Sequence, residues 1–184
     1  GTSEEALSRT NRGQAPWHII EAKDWRFRNL TVGRLLAGAI RDGLAKSPAS
    51  GGKAPAPAAP KVNILSTLDL STRLPEKEYE EKARKYHGRL GALARKLREA
   101  GRSAIFVFEG PDAAGKGGAI RFLTKAMDAR NYQVISVAAP TEEERRHPYL
   151  WRCWRHLPRQ GRVTIYDRAW YGRVLVERVE GFCP

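Results

Sequence analysis

The fold of this 184-residue chain is indicated most strongly by the stretch Gly110-Pro111-Asp112-Ala113-Ala114-Gly115-Lys116-Gly117-Gly118. It follows an apolar run, residues 104–108, that predicts a β-strand, and it leads into a helical pattern. Glycines let backbone N–H groups turn inward around phosphate oxygens, while the following helix presents its positive end and lysine adds a compact cation. We therefore predict that residues 110–118, here called the glycine loop, bind phosphate. The expected phosphate-binding residues are Gly110, Ala113, Ala114, Gly115, Lys116, Gly117 and Gly118. The alternative is a chance glycine turn at a helix start.

Two positions inside the glycine loop bear on metal binding. Gly117 stands where many nucleotide-binding loops carry a Ser or Thr that binds the metal. Asp112 would repel a bound phosphate unless its carboxylate faces a Mg²⁺ ion or a transferable proton. We therefore predict that Asp112 binds metal or positions the phosphoryl acceptor. The alternative is an aspartate that stabilises the turn by bonding its own backbone.

A second acidic position follows the run 162–168, Arg-Val-Thr-Ile-Tyr-Asp-Arg, which predicts a buried strand that ends at Asp167. An aspartate that organises Mg²⁺ sits at this place in nucleotide-binding sheets. Phosphoryl transfer depends on positioning and charge neutralisation more than on covalent chemistry, so lysine, arginine and aspartate side chains suffice. We predict the catalytic residues Asp112, Lys116, Asp167, Arg168 and Arg173, with Asp112 and Asp167 as the metal ligands. Alternatively, Arg168 is a structural ion-pair partner of Asp167.

The charge of the chain predicts an acidic partner. The formal net charge is +13, from 33 Lys and Arg against 20 Asp and Glu. Residues 140–184 contain nine arginines and no lysine, which favours forked contacts to phosphate. A basic nucleic-acid-binding module is the alternative. No apolar run is long enough to span a bilayer, and Cys153 and Cys183 form no disulfide or metal pattern. We expect a cytoplasmic protein that binds neither membrane nor nucleic acid.

Strands that alternate with helices predict a parallel sheet with its ligand site at the carboxyl ends of the strands. The expected helices cover residues 76–100, 117–127, 149–156 and 170–179, and the expected strands cover residues 104–108, 133–138 and 163–167. In the short aromatic helix, Leu150, Trp151 and Trp154 fit one face. We therefore expect them to pack in the core rather than to stack nucleic-acid bases.

The first third of the chain predicts a different organisation. Residues 46–60 are rich in Pro, Ala, Gly and Ser and predict a linker. Before it, residues 15–20 indicate a short strand and residues 28–44 a helix, which are too little to form a domain alone. We expect residues 1–45 to be the C-terminal end of a preceding domain and residues 61–184 to be the N-terminal part of a second one. The chain is then a piece of a longer protein.

Taken together, the motifs resemble the polyphosphate kinase type two family. The matching segments are LDLS at 68–71, FEGPDAAGKGGAI at 108–120, APT at 139–141, YLWR at 149–152 and YDRAWYGRVLVERVEGF at 166–182. The resemblance implies an α/β P-loop kinase fold similar to thymidylate kinase, a three-layer parallel sheet with flanking helices, here truncated. It also implies phosphoryl transfer between inorganic polyphosphate and nucleotides with Mg²⁺, and it assigns the site residues to the same roles as above.

The segment 15–27 resembles the closing part of the same domain type. A domain end, a linker and a domain start of one family suggest a tandem protein, which resembles the polyphosphate:AMP phosphotransferases. We therefore expect AMP to be converted to ADP. ADP phosphorylation by polyphosphate and an ATP-dependent nucleotide kinase are the alternatives. Expected partners are polyphosphate, AMP or ADP, and a homo-oligomer or a tandem-domain pairing. The resemblance also implies that a lid follows residue 182, so we expect little turnover by these 184 residues alone.

Overall fold

The computed structural model describes residues 2–13, 15–46 and 68–181. The helices are α1 (Thr2–Thr10), α2 (Trp25–Ala45), α3 (Glu76–Glu99), α4 (Lys116–Thr124), α5 (Glu142–Arg145) and α6 (Trp151–Trp154), with a 3₁₀ turn at Ala129–Asn131 and a π-helical turn at Arg173–Glu177. The strands are β1 (Ala104–Phe108), β2 (Tyr132–Ser136) and β3 (Val163–Asp167). Residues 47–60 of the predicted linker lie outside the described residues. Within the described ranges, no helix is both long and apolar enough to cross a membrane.

The three strands form a parallel sheet in the order β1-β3-β2, which confirms the predicted parallel arrangement. Phe108 of β1 and Ser136 of β2 both pair with Asp167 of β3. The central position of β3 matches its burial, since Val163 to Tyr166 are all buried. Because all three strands end level with one another, the segments that follow them meet at one edge of the sheet.

Two clusters of apolar side chains cover the two faces of the sheet, because successive side chains of a strand point to opposite faces. Val163 and Ile165 join the larger cluster with residues of α2, α3 and α4, including Leu30, Ile40, Leu90, Leu97, Phe122 and Leu123. Tyr166 belongs to the smaller cluster with Cys153, Ala169, Val107 and Ile135. Flanking helices therefore lie on both sides of the sheet.

Helix α3 forms as the sequence predicts. Pro75 precedes it, acidic residues occupy its first turn and basic residues its last, which complements the helix dipole. Ala83, Leu90 and Leu97 lie seven residues apart and form its buried stripe. Gly101 follows with a φ of 63°, a conformation that favours glycine and ends the helix.

Helix α2 packs against α3 and α4 rather than standing apart from them. Asp24 fixes its first turn, because its Oδ1 accepts hydrogen bonds from the N–H groups of Arg26 at 2.7 Å and Phe27 at 3.1 Å. Its Oδ2 accepts a third bond from the N–H of Leu74 at 3.0 Å. Burial opposes the charge of this carboxylate, but the three donors prevail and lower the pKa of Asp24. The start of α2 is thus tied to the segment that leads into α3.

Several predicted elements are shorter than expected or absent. Residues 15–20 form no strand, only a single bridge between Arg12 and Ala15, because no neighbouring strand in the described ranges pairs with them. Helix α4 ends at Thr124 instead of residue 127, and the predicted helix at 170–179 is a π-helical turn of five residues.

The expected core packing of the aromatic helix is wrong for two of its three residues. Leu150 is 37% exposed and Trp154 is 58% exposed, whereas Arg152 and Cys153 are buried. The helix is only four residues long, so its buried side is set by Arg152, whose Nη2 donates to the carbonyl oxygen of Ala138 at 2.6 Å. A buried arginine with bonding partners can occupy a place that periodicity alone assigns to an apolar residue.

Candidate functional site

The glycine loop connects β1 to α4 through a series of unusual backbone conformations. Gly115 precedes α4 with a φ of 80°, and Ala113 adopts a φ of 61° without being glycine. Left-handed residues other than glycine carry strain that the surrounding structure must offset, and they concentrate at functional sites. The loop thus curves around the start of α4, where the first N–H groups of a helix have no partner within the helix itself. Such a junction suits an anion.

The side chain of Lys116 folds back onto the glycine loop. Its Nζ donates hydrogen bonds to the carbonyl oxygens of Gly110 and Pro111, both at 2.9 Å. A lysine ammonium has three N–H groups, so one remains for a ligand. The side chain therefore lies across the mouth of the loop, in a position to serve the loop and a bound phosphate together.

Asp112 and Arg168 meet near the carboxyl ends of β1 and β3, which the strand order places side by side. Nη2 of Arg168 forms an ion pair with Oδ1 of Asp112. Arg168 adopts a φ of 64°, and its N–H donates to the carbonyl oxygen of Phe108 at 2.9 Å, which directs its side chain toward the loop. The side chain of Asp112 is 87% exposed and that of Arg168 is 45% exposed, so water screens the ion pair and weakens it. An incoming phosphate can therefore displace Asp112 from Arg168.

Asp167 presents a carboxylate oxygen that lacks a partner. Its Oδ1 is buried and has no hydrogen-bond donor within the described residues. An unpartnered buried carboxylate oxygen is costly, and a bound cation would remove that cost. Among the described residues, no group of three or more His, Cys, Asp or Glu could hold a metal alone. A metal held by Asp112 and Asp167 would then take most of its ligands from waters and substrate phosphates, which is the arrangement that Mg²⁺ commonly adopts.

Glu109 is a site residue that the sequence reasoning did not single out. Its Oε1 accepts a hydrogen bond from the N–H of Ala169 at 2.8 Å, which joins the end of β1 to the segment after β3. Burial raises the pKa of Glu109, against the lowering effect of this hydrogen bond and of the nearby Lys116 and Arg168 cations. The clue in the sequence was an acidic residue placed directly between an apolar strand and the glycine loop.

Arg173, the fifth predicted catalytic residue, lies on the π-helical turn after β3. Its Nη1 forms an ion pair with Oε2 of Glu177 at 3.1 Å, and its guanidinium lies over the ring of Tyr149 at 4.7 Å. These two contacts of Arg173 are with Glu177 and Tyr149, whereas Asp112 and Arg168 contact each other at the glycine loop.

The geometry is accompanied by a clear relationship to known proteins. Residues 73–184 match the family model described as Polyphosphate kinase 2. The chain belongs to the polyphosphate kinase 2 family. Its parallel α/β architecture is the P-loop kinase fold of that family, as the resemblance implied.

Similar proteins extend this relationship beyond the matched residues. The chain is 49% identical over 186 residues to the polyphosphate:AMP phosphotransferase of Pseudomonas aeruginosa, an alignment that covers 98% of this chain and 37% of that protein. A Pseudomonas aeruginosa protein whose crystal structure carries the name polyphosphate kinase 2 aligns with a TM-score of 0.63 at 48% identity, covering 99% of this chain and 37% of that one. The ADP-polyphosphate phosphotransferase 3 of Rhizobium meliloti is 44% identical over 87 residues, 47% of this chain and 31% of that protein.

The chain thus spans 37% of the length of the Pseudomonas relative and of its structural counterpart. The two Pseudomonas aeruginosa alignments cover 98% and 99% of this chain, so they extend well beyond the residues 73–184 that the polyphosphate kinase 2 model matches. The segment before the predicted linker therefore has a counterpart in these two proteins.

Proposed function

We propose that this chain is part of a phosphotransferase that moves the terminal phosphoryl group of inorganic polyphosphate to AMP, forming ADP. The observation that carries the proposal is the convergence of Lys116, the Asp112–Arg168 pair and the unpartnered Asp167 oxygen at the carboxyl ends of β1 and β3. The names of the similar proteins support a polyphosphate donor and a nucleotide acceptor.

In the proposed reaction, an oxygen of the AMP phosphate attacks the terminal phosphorus of polyphosphate in line with the bond between that phosphorus and its bridging oxygen. This bond breaks, and polyphosphate shortened by one unit leaves with the bridging oxygen. The glycine-loop N–H groups and Lys116 hold the transferred group, and Arg168 turns from Asp112 to the developing charge on its oxygens. Arg173 is proposed to contact phosphate charge once a substrate draws it from Glu177. Mg²⁺, when bound, supplies further charge neutralisation and orientation, and Asp112 and Asp167 are the residues that would hold it.

The larger organisation of the protein belongs to the same proposal. Residues 1–45 are proposed to end a preceding domain of the same family, residues 46–60 to form a linker, and residues 61–184 to begin the second domain. The packing of α2 against α3 and α4 supports a close contact between residues 25–45 and the second domain. A homo-oligomer or tandem-domain pairing and a cytoplasmic location complete the proposal.

The ADP-polyphosphate name of the Rhizobium relative favours one alternative acceptor, ADP. The acceptor experiment therefore supplies polyphosphate and Mg²⁺ to the full-length protein with either AMP or ADP. We expect ADP to form from AMP about tenfold faster than ATP forms from ADP, which corresponds to a difference of about 1.4 kcal/mol in activation free energy between the two acceptors. Chromatographic separation of the nucleotides measures both initial rates. If ATP forms faster from ADP than ADP forms from AMP, the preferred acceptor is ADP and the proposed acceptor is wrong.

A basic nucleic-acid-binding module makes a different prediction. It would bind single-stranded or duplex nucleic acid with a steep dependence on salt, and this binding would survive the replacement of Lys116 by alanine. The proposed phosphotransferase instead depends on Lys116.

A further inference from the structure

Arg28 on α2 lies against the glycine loop although 81 residues of sequence separate it from the loop's first glycine. A Cβ atom at Gly118 would be 2.6 Å from Nη2 of Arg28, and a Cβ atom at Gly115 would overlap its Nη1. By contrast, a Cβ atom at Gly117, between them in sequence, would meet nothing within 4 Å. The guanidinium therefore occupies the space that the absent side chains at positions 115 and 118 leave free.

Hydrogen bonds hold this guanidinium in place. Nε and Nη2 of Arg28 both donate to Oδ1 of Asn29, at 3.2 Å and 3.1 Å. Asn29 is buried, and its Nδ2 donates to the hydroxyl of Tyr79 on α3 at 3.3 Å. The orientation of Arg28 thus depends on α2 and α3 together, and two of its donors are fixed before any ligand arrives.

The charge of Arg28 adds to an already positive surface. Within the described residues Arg28 makes no ion pair, and Lys116 and the positive end of α4 lie beside the same loop. Arg121 and Lys125 line a cavity of about 190 Å³ that borders Gly118. Burial lowers the pKa of Arg28, because desolvation disfavours its charged form. A bound anion would compensate this gathering of positive charge.

We propose that Arg28 is a positioning residue for the glycine loop: it packs on Gly115 and Gly118, fixes the junction between the loop and α4, and raises the affinity of the loop for the polyphosphate chain. This inference rests on the proposed function for the identity of the ligand. It also makes phosphate binding depend on the segment before the predicted linker, so residues 15–46 contribute to the second domain's site.

The test replaces Arg28 by methionine or lysine in the full-length protein and measures the binding of sodium tripolyphosphate by calorimetry. Arg28→Met should raise the Kd about tenfold and make it less dependent on salt, because one positive charge is removed. The KM for polyphosphate should rise to a similar extent, with kcat changed less than about threefold. Arg28→Lys should recover part of the affinity because it restores the charge without the forked bonds to Asn29. Arg34→Met, an exposed arginine on the same helix, is the matched control and should match wild type.

A double variant assigns the effect to the glycine loop. In a Lys116→Ala background, Arg28→Met should alter the Kd by less than about twofold, since residues that act on one site are not additive. An unchanged Kd in Arg28→Met overturns the proposal. So does a lysine variant no better than methionine together with an unaltered salt dependence, which would mean that Arg28 only packs. If wild type binds tripolyphosphate but forms no ADP, the proposed function fails while the role of Arg28 stands on the binding data. Absence of tripolyphosphate binding by wild type contradicts both.

Discussion

Replacing Lys116 by alanine is expected to lower kcat/KM for phosphoryl transfer from polyphosphate to AMP by about 10²–10³-fold in the full-length protein. The ammonium group is proposed to neutralise charge on the transferred phosphoryl group with its remaining N–H. The substitution also removes the bonds to the carbonyl oxygens of Gly110 and Pro111, so the loop loses its closure as well as its cation. Initial rates of ADP formation at several polyphosphate concentrations give kcat and KM separately.

Lys96→Ala is the matched control for this prediction. Lys96 is an exposed lysine in the last turn of α3, which leads into the amino end of β1, whereas Lys116 follows the carboxyl end of that strand. We expect the control to retain activity within about twofold, as is usual for an exposed side chain without an ion pair. A Lys116→Ala variant with more than a tenth of wild-type kcat/KM would place the transfer site somewhere other than the glycine loop.

Replacing Asp167 by asparagine is expected to lower kcat by about 100-fold or more, because the proposed Mg²⁺ site loses one of its two carboxylates. The fold should be unaffected. Oδ1 of Asp167 is buried without a hydrogen-bond partner among the described residues. A neutral amide of nearly the same shape removes the cost of burying an unpaired charged oxygen and breaks no hydrogen bond of that oxygen. The free energy of unfolding without metal should therefore be equal or higher in the variant.

A metal titration provides the second readout for Asp167. Mg²⁺ with tripolyphosphate should raise the thermal unfolding midpoint of wild type and raise that of Asp167→Asn much less, since ligands that bind only the folded state stabilise it. Asp42→Asn, an exposed aspartate on α2, is the control and should respond like wild type. A normal Mg²⁺ response in Asp167→Asn would remove this residue from the metal site.

The sequence predicts the edge of the sheet at which the candidate residues lie, because these residues follow strands. Arg168 comes directly after β3 and Asp112 lies four residues after the end of β1, and parallel strands bring such positions to one edge. The hydrogen bond from Ala169 to Glu109 follows from the same geometry, but it required the strand order β1-β3-β2, which the linear pattern does not contain.

Other features depended on long-range packing that periodicity cannot predict. Arg28 reaches Gly115 and Gly118 only because α2 docks on α3 and α4, across the predicted linker. The exposure of Trp154 was missed because a four-residue helix is too short for its apolar face to be defined, and the buried Arg152 took the inner side. Short elements are where local patterns carry the least information.

Polyphosphate is the proposed donor of the phosphoryl group that the glycine loop binds. The most direct measurement compares polyphosphate with ATP as the donor to AMP, in the full-length protein with Mg²⁺ and at equal concentrations of terminal phosphoryl groups. We expect an initial rate of ADP formation at least about tenfold higher with polyphosphate, because the basic surface around Lys116 and Arg168 suits a long polyanion. An equal or higher rate with ATP would contradict it and identify an ordinary ATP-dependent nucleotide kinase.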